Sequence, residues 1–413
     1  MTVDAPDLLD RFLRYVRIDT RSNDQSATTP STPGQWDLLR LLATELQALG
    51  LTDVTLTEHG YLLATLPATS PRPVPTLAWF AHVDTAPNLP GLAKPIVHRA
   101  YAGQPIVLPD DPAQQLAPET TPFLRDCLGH DIITASGTTL LGADDKSGVA
   151  VIMNTVRHLI AHPEIPHGRI RVCFNPDEEI ARGMAKVSLE QIDADFGYTL
   201  DGSAPGEIDA ETFSADAAVL EIHGVAAHPG WAKDVMVNAA RLAGRFLAAL
   251  PPELSPERTD GLAGFIHPVE CAAFAEVARV RMILRDFELA GLAAKRAVVE
   301  RIVAELRAAE PRARFELTFT EQYRNMRYWL EQDMRPVEFA REAIRRAGLT
   351  PKSSAIRGGT DGSNLTARGL PTPNLFCGMH EVHSPREWVS LQDMAKAVET
   401  LLHLAQVWHE RSA

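Results

Sequence analysis

A chain of 413 residues, 45% hydrophobic and 23% charged, is long enough for two cores of ordinary globular composition. Its formal net charge of -13 argues against a nucleic-acid partner, because neutralising phosphates takes clustered Lys and Arg. No run of roughly 18 apolar residues occurs, so neither a membrane span nor a membrane partner is expected. The first residues carry Asp4, Asp7 and Asp10 without the apolar stretch of a secretory signal. The cysteines Cys127, Cys173, Cys271 and Cys377 lie far apart with no CxxC pair, which reads as reduced thiols and a cytoplasmic location.

In chain order, residues 8–16 place Leu8, Leu9, Phe12, Leu13 and Val16 on one helical stripe. Residues 35–49 repeat that pattern up to Gly50, a residue that ends helices by turning left-handed. The apolar run 76–82 predicts a buried strand that delivers His82 at its C-terminal edge. The Pro-rich, polar stretch 88–130 reads as a long excursion with short strands. Residues 139–159 predict a strand, a turn and a helix with Val149, Ile152, Val156 and Leu159 inward. Strands over 169–174 and 196–200 lead into Asp177-Glu178-Glu179 and into Asp201. This is the α/β pattern, with ligands at the carboxyl ends of strands, where open sheets place their sites.

The pattern changes near Ala215. A strand over 217–223, a helix over 236–250, a β-rich stretch 272–284, a helix over 289–309 and an alternating strand over 314–319 follow. Such a series describes a small antiparallel sheet covered by two helices. From about Met326 helix and strand segments resume. The expected organisation is a catalytic domain built from residues 1–213 and 326–413, interrupted by an inserted α+β domain of two helices and four antiparallel strands over 214–325.

The chemistry lies in short acid and histidine motifs: His82-Val83-Asp84-Thr85, Gly142-Ala143-Asp144-Asp145-Lys146, Pro176-Asp177-Glu178-Glu179, Asp201-Gly202 and His383-Ser384. Imidazole and carboxylate without thiolate suit a catalytic zinc, cobalt or manganese site rather than a structural Cys-rich one. If the strand persists, His82 and Asp84 share a face, and an Asp beside a metal-binding His fixes its tautomer. A carboxylate at the Asp144 turn can bridge two cations, although Asp144 or Asp145 would serve equally as a helix N-cap. Adjacent Glu178 and Glu179 point different ways, so one can bind metal while the other moves a proton. Two histidines, His380 and His383, compete for the last ligand position. His228, in His228-Pro229-Gly230, reads as a turn histidine before Pro on its own merits. Arg357 to Gly362 is a glycine-rich loop with one fixed cation, suited to a carboxylate or carbonyl. Neither the spacing of a phosphate-binding loop nor that of a dinucleotide fold is present.

Read together, these motifs resemble the peptidase T family of tripeptide aminopeptidases, within the larger group of co-catalytic di-zinc peptidases and amidohydrolases. The matching residues are Leu13 to Thr20, the His82 motif, Thr138 to Lys146, Asn175 to Ile180, Gly206-Glu207-Ile208, His228-Pro229-Gly230, Met236-Val237-Asn238-Ala239, Arg357 to Gly362 and Leu370 to Phe376. The resemblance runs nearly end to end. It implies a mixed-sheet zinc-peptidase catalytic domain whose inserted domain acts as lid and dimer interface. Two zinc ions per subunit are implied, with cobalt or manganese as substitutes. His82, Asp144 and Asp201 would hold one ion, and Asp144, Glu179 and His383 the other. Glu178 is then the general base on a bridging water, and Asp84 orients His82. His228 reaches the partner subunit's site to stabilise the oxyanion, and Asn238 and Arg357 bind substrate. His383 takes the ligand role over His380 because Glu387-Trp388 follows it downstream.

The chain departs from the commonest family pattern at Ser147, Ala181, Ser203, Trp231, Cys377 and the 380–385 segment. None of these removes a ligand or the base. They surround the expected substrate pocket and so bear on peptide preference rather than on hydrolysis. The expected enzyme is a cytoplasmic homodimeric metallo-aminopeptidase acting on tripeptides and other short peptides. A related di-metal amidohydrolase, such as an N-acyl-amino-acid deacylase or a dipeptidase, is the close alternative. A metal-dependent binding protein on the same scaffold is the non-enzymatic one.

Overall fold

Four parallel strands form the middle of a seven-stranded mixed sheet. Leu77–His82 pairs with Ile170–Asn175 on one side and with Phe196–Gly202 on the other, and Asn374–Phe376 extends the parallel set. Antiparallel Leu62–Leu66 and Thr55–Leu56 close one edge, and Ile208–Asp209 closes the other. Every residue of Leu77–His82 and Ile170–Asn175 is buried, as expected of parallel strands covered on both faces. This computed structural model describes residues 2–412.

The chain divides into two units: Met1–Ala210 with Tyr328–Ser354 and Thr360–Ala413, and Glu211–Arg327 with the short segment Ala355–Gly359. In the first unit the helix Ala143–Ala161 is buried almost throughout and packs against Leu77–His82, Phe196–Gly202 and the helix Leu391–Arg411. Ala5–Tyr15 lies against the same helix, with Leu8, Leu9, Phe12 and Tyr15 inward. Pro33–Ala48 ends before Gly50, whose φ of 95° is the left-handed turn that a glycine takes without penalty. The buried Trp408 indole donates to the Tyr198 hydroxyl at 2.9 Å, and that hydroxyl donates to Pro336 O at 2.8 Å. These two buried polar groups are thus paired.

One expectation changes in detail. Leu140 and Leu141 are not a strand: their N–H groups are taken by Pro90 O at 3.0 Å and by the Glu387 carboxylate at 2.7 Å. Within 88–130 the structure has three short strands, Ile96–His98, Ile106–Val107 and Gln115–Leu116, and the 3-10 helix Pro122–Cys127. Ile96–His98 joins Ile132–Thr134, Trp388–Ser390 and Met379–His380 in a second, four-stranded antiparallel sheet.

The second unit is an antiparallel sheet ordered Phe265–Ala273, Val277–Asp286, Ser214–His223, Arg314–Tyr323, with the helices Ala239–Ala249 and Leu289–Ala309. Along Val277–Asp286 burial alternates residue by residue, so one face packs on the helices through Leu220, Val280, Phe246, Val299 and Ile302. The β-rich stretch resolves into a hairpin turning at Phe274, whose N–H meets Val277 O at 2.8 Å. Its first strand carries Pro268 and lies at the sheet edge, where a missing N–H is tolerated. Among the described residues no helix is long and apolar enough to cross a membrane.

Candidate metal centre

Strand ends deliver the donors. His82 is the last residue of Leu77–His82, and its buried ring stands among three carboxylates. Nδ1 lies 3.1 Å from Asp84 O and 3.3 Å from Asp84 Oδ1, while Nε2 lies 3.0 Å from Asp144 Oδ1 and 3.9 Å from Asp201 Oδ1. Asp201 lies within Phe196–Gly202 rather than beyond its end. Asp144 opens the helix Ala143–Ala161 with non-helical φ/ψ. Its other oxygen, Oδ2, lies 3.2 Å from His383 Nε2, which is also 2.9 Å from Glu179 Oε2. His82, Asp144, Glu179, Asp201 and His383 therefore meet, although they span three hundred residues of sequence. The donor atoms of His82, Asp144 and Glu179, and those of His82, Asp145 and Asp201, fall within 4.8 Å of one another.

The two competing histidines have separate places. His380 is buried between the rings of Phe123 and Trp388, with centroids 4.8 and 4.3 Å away. His383 sits on a left-handed backbone position with its ring in the cluster. The two aspartates of the Asp144 turn also divide their work. Asp145 accepts the His82 N–H and the Gly148 N–H, both at 3.2 Å, and so acts as the helix cap.

Asp84 does more than face His82. Its Oδ1 accepts the Glu178 N–H at 3.0 Å and its Oδ2 the Glu179 N–H at 3.2 Å, which fixes both glutamates from beneath. Glu387 is a second clamp, accepting N–H groups of Leu141, Gly142 and Asp144. Lys146 is fully buried and donates to Ile18 O at 2.8 Å, and Asn175 donates to the buried Asp361 at 2.6 Å. Lys146 and Asn175 stand in the matched motifs and Glu387 in the pair that follows His383, but spacing gave none of them its hydrogen-bond partner.

The electrostatics describe a site short of positive charge. Burial pulls Asp144 upward, yet hydrogen bonds from His383 and His82 hold it well below the usual carboxylate range. Hydrogen bonds to Asp144 and Glu179 push His383 up to about 11. Burial would lower His82, but its contacts with Asp144 and Asp84 carry it well above its ordinary value. Burial, with Asp144 adding repulsion, raises Glu179 to about 7. Burial, with Asp361 beside it, pushes Glu178 well above the carboxylate range, and burial does the same to Asp201 with Asp144 nearby. Glu179 Oε1 is buried with no hydrogen-bond partner among the described residues. Crowded desolvated carboxylates, two imidazoles and an orphaned oxygen fit a pair of divalent cations.

The remaining predicted site residues, His228, Asn238 and Arg357, belong to the second unit. His228 is exposed, accepts the Gly230 N–H at 3.1 Å and meets the Trp231 ring at a tilt, with centroids 4.6 Å apart. Asn238 caps the helix Ala239–Ala249 by accepting the Arg241 N–H at 3.1 Å. Arg357 donates to Gly261 O at 2.7 Å, Ala263 O at 2.8 Å and Thr259 O at 3.2 Å, with its guanidinium 5.1 Å from the Phe213 ring centre.

An open α/β sheet with imidazole and carboxylate donors at the ends of its strands defines a metal-dependent hydrolase. The chain belongs to Peptidase family M20/M25/M40, whose family model matches residues 134–407, and it is a metallopeptidase. A peptidase T of Geobacillus thermodenitrificans is 43% identical over 408 residues, 98% of this chain and 99% of that one. A peptidase T of Listeria monocytogenes serotype 4b is 42% identical over 406 residues, again 98% and 99%. The fold is shared with an aminopeptidase of Bacillus cereus at a TM-score of 0.76 and 22% identity, covering 98% of this chain and 99% of that one. It is shared equally with a tripeptidase of Staphylococcus aureus, at 0.77 and 22% over the whole of both chains.

Proposed function

We propose that this metallopeptidase is a di-zinc aminopeptidase that removes the N-terminal residue from tripeptides and other short peptides. The observation that carries the reading is Asp144, whose two oxygens each face a different histidine, His82 at 3.0 Å and His383 at 3.2 Å. His82, Asp144 and Asp201 would hold one ion, and Asp144, Glu179 and His383 the second. When bound, the ions supply Lewis acidity to the scissile carbonyl and to water.

Glu178 takes the proton of the attacking water and passes it to the leaving amine. Burial pushes the Glu178 carboxyl upward, which makes it a stronger acceptor for the proton of water. Asp84 keeps Glu178 in place through its backbone and orients His82. His228 of the partner subunit stabilises the developing oxyanion, in a homodimer formed through the inserted unit. Asn238 and Arg357 contribute to peptide binding, Arg357 while tied to the 259–263 loop. Free cysteines throughout are in keeping with work in the cytoplasm. The names peptidase T, aminopeptidase and tripeptidase among its relatives and neighbours support the substrate class.

The test is hydrolysis of a dipeptide, a tripeptide, a tetrapeptide, an N-acetylated tripeptide and an N-acyl amino acid, with and without a chelator. Chelator-sensitive release of the first residue from the free tripeptide is expected. Cleavage of the N-acyl substrates in its place would move the chain to the amidohydrolases. Glu178→Gln should keep its metal and lose at least about a thousandfold in turnover, the scale of a lost general base; near-normal turnover would remove Glu178 from that role.

A further inference from the structure

Apart from the centre around Asp144, three side chains with metal-ligating atoms meet where Pro122–Cys127 and the turn after it lie against the first turn of Leu391–Arg411. Cys127 Sγ is 3.8 Å from Asp393 Oδ2, and His130 Nδ1 is 3.7 Å from Asp393 Oδ1. One donor atom from each residue falls within 4.8 Å of the other two. Cys127 and Asp393 are buried, while 26% of the His130 side chain is open to solvent. A metal therefore has a way in from one side.

The contacts between the members of this trio are long for a finished hydrogen-bond network. The thiol donates to Phe123 O at 3.5 Å and lies 3.8 Å from the carboxylate. Burial pushes the thiol up to about 12 and the Asp393 carboxyl up to about 6. Near neutrality the thiol keeps its proton while the carboxylate beside it is mostly ionised, and a cation would replace the thiol proton. Tetrahedral zinc, with Zn–S of about 2.3 Å and Zn–N and Zn–O of about 2.1 Å, sets S···O near ~3.6 Å and N···O near ~3.4 Å. In the structure Cys127 Sγ and His130 Nδ1 face different oxygens of Asp393, at 3.8 and 3.7 Å, so a rotation of the carboxylate brings one oxygen into reach of an ion held by all three.

We propose that Cys127, His130 and Asp393 form a further divalent-metal site of the zinc type, distinct from the imidazole–carboxylate centre. Thiolate with imidazole selects zinc or cobalt over magnesium and calcium, which take oxygen donors. The Ser390 hydroxyl lies 2.9 Å from His130 Nδ1 and accepts the Asp393 N–H at 3.2 Å. It completes the coordination directly or through a water. The positive end of the Leu391–Arg411 helix opposes a cation here, but two anionic donors outweigh a partial charge. An ion in this place ties the 122–130 segment to the strand Trp388–Ser390 and to the helix that follows it. That strand comes immediately after Glu387, so the site secures the frame of the centre without touching substrate.

The experiment loads the full-length, metal-stripped protein with cobalt and follows thiolate-to-cobalt charge transfer in the near ultraviolet. The band reports this trio because the other centre has no thiolate ligand. The band is expected in the unaltered protein and in Cys377→Ser, and is lost in Cys127→Ser together with one bound ion per chain, while peptide hydrolysis stays within about twofold. His130→Gln alters a partly exposed ring and serves should Cys127→Ser fail to fold; it should bind the band-producing cobalt at least tenfold more weakly. No band at saturating cobalt, a band that survives Cys127→Ser, or one lost in Cys377→Ser instead would overturn the site. The readout does not depend on the peptidase reading, since the band and the ion count stand whether or not any peptide is cleaved.

Discussion

Glu387 holds Asp144 by its backbone: one carboxylate oxygen accepts the Asp144 N–H at 2.9 Å, and the other accepts those of Leu141 and Gly142 at 2.7 and 2.9 Å. Because Glu387 lies four residues after His383, one short segment presents a histidine to Asp144 and also fixes the turn that carries it. Glu387→Ala leaves three backbone donors without their charged acceptor. A loss of about 3 kcal/mol or more follows from the cost of unmet buried hydrogen bonds, together with at least tenfold weaker metal binding. Glu387→Gln should fall between. Urea midpoints and metal titrations on the three proteins decide it, and unchanged metal affinity in Glu387→Ala would refute the coupling.

His380 gives a pH dependence of known sign. Burial between Phe123 and Trp388 lowers its pKa from 6.5 to about 4, so the fold keeps the ring neutral. Between those two values the unfolded chain binds the extra proton, and stability is present above about pH 6.5 and lost as pH falls toward 4. At pH 5 the loss amounts to about 2 kcal/mol, at 1.36 kcal/mol for each unit. His380→Phe, which keeps the stack, should remove that part. Denaturant midpoints at pH 7.5 and 5 for both proteins measure the difference; parallel behaviour would show that His380 is not kept neutral.

Metal binding should release protons. His383, raised to about 11, carries a proton at neutrality in the metal-free chain and Glu179, raised to about 7, carries one in part, and donors must be deprotonated to bind a cation. Adding zinc to the chelator-treated protein in weak buffer at pH 7 should therefore acidify the solution by at least one proton per ion. Thermal stability and hydrolysis should recover together. Binding without acidification would mean that the ions sit elsewhere.

Arg357 is engaged with three backbone carbonyls and the Phe213 ring. Lysine cannot reproduce a planar fork that meets several acceptors at once. Arg357→Lys should cost about 1–2 kcal/mol of stability, by the usual worth of charged hydrogen bonds, and should raise KM more than it lowers kcat. A variant of normal stability with the same shift in KM would show that Arg357 acts on the peptide directly.

Much of this was legible in the sequence because the chemistry sits at strand ends. Apolar runs such as 76–82 and 169–174 mark buried strands, and the first polar residues after them are the ones the fold gathers. The long helix over 289–309 could be read to the residue because its apolar positions keep one period throughout. The strand Phe265–Ala273 could not, because its exposed edge residues and Pro268 break the alternation. The rivalry of His380 and His383 was likewise beyond reach from spacing alone. A ring between Phe123 and Trp388 is a fact of packing among segments over two hundred residues apart in sequence. Glu387 and Lys146 reach backbone groups of segments distant in sequence, and spacing does not name such partners.

The centre around Asp144 draws on segments that begin at His82 and close with His383, and the whole inserted unit lies between them in the chain. An N-terminal fragment stopping before His383 contains Leu77–His82, Ile170–Asn175 and Phe196–Gly202 and four of the five gathered residues, yet it lacks His383 and the Glu387 clamp. Hydrolytic competence therefore comes with the last part of the first unit rather than accumulating as translation proceeds. Nascent and prematurely ended chains are inert toward the peptides around them, and activity reports that synthesis has passed His383 and that both halves of the sheet have joined.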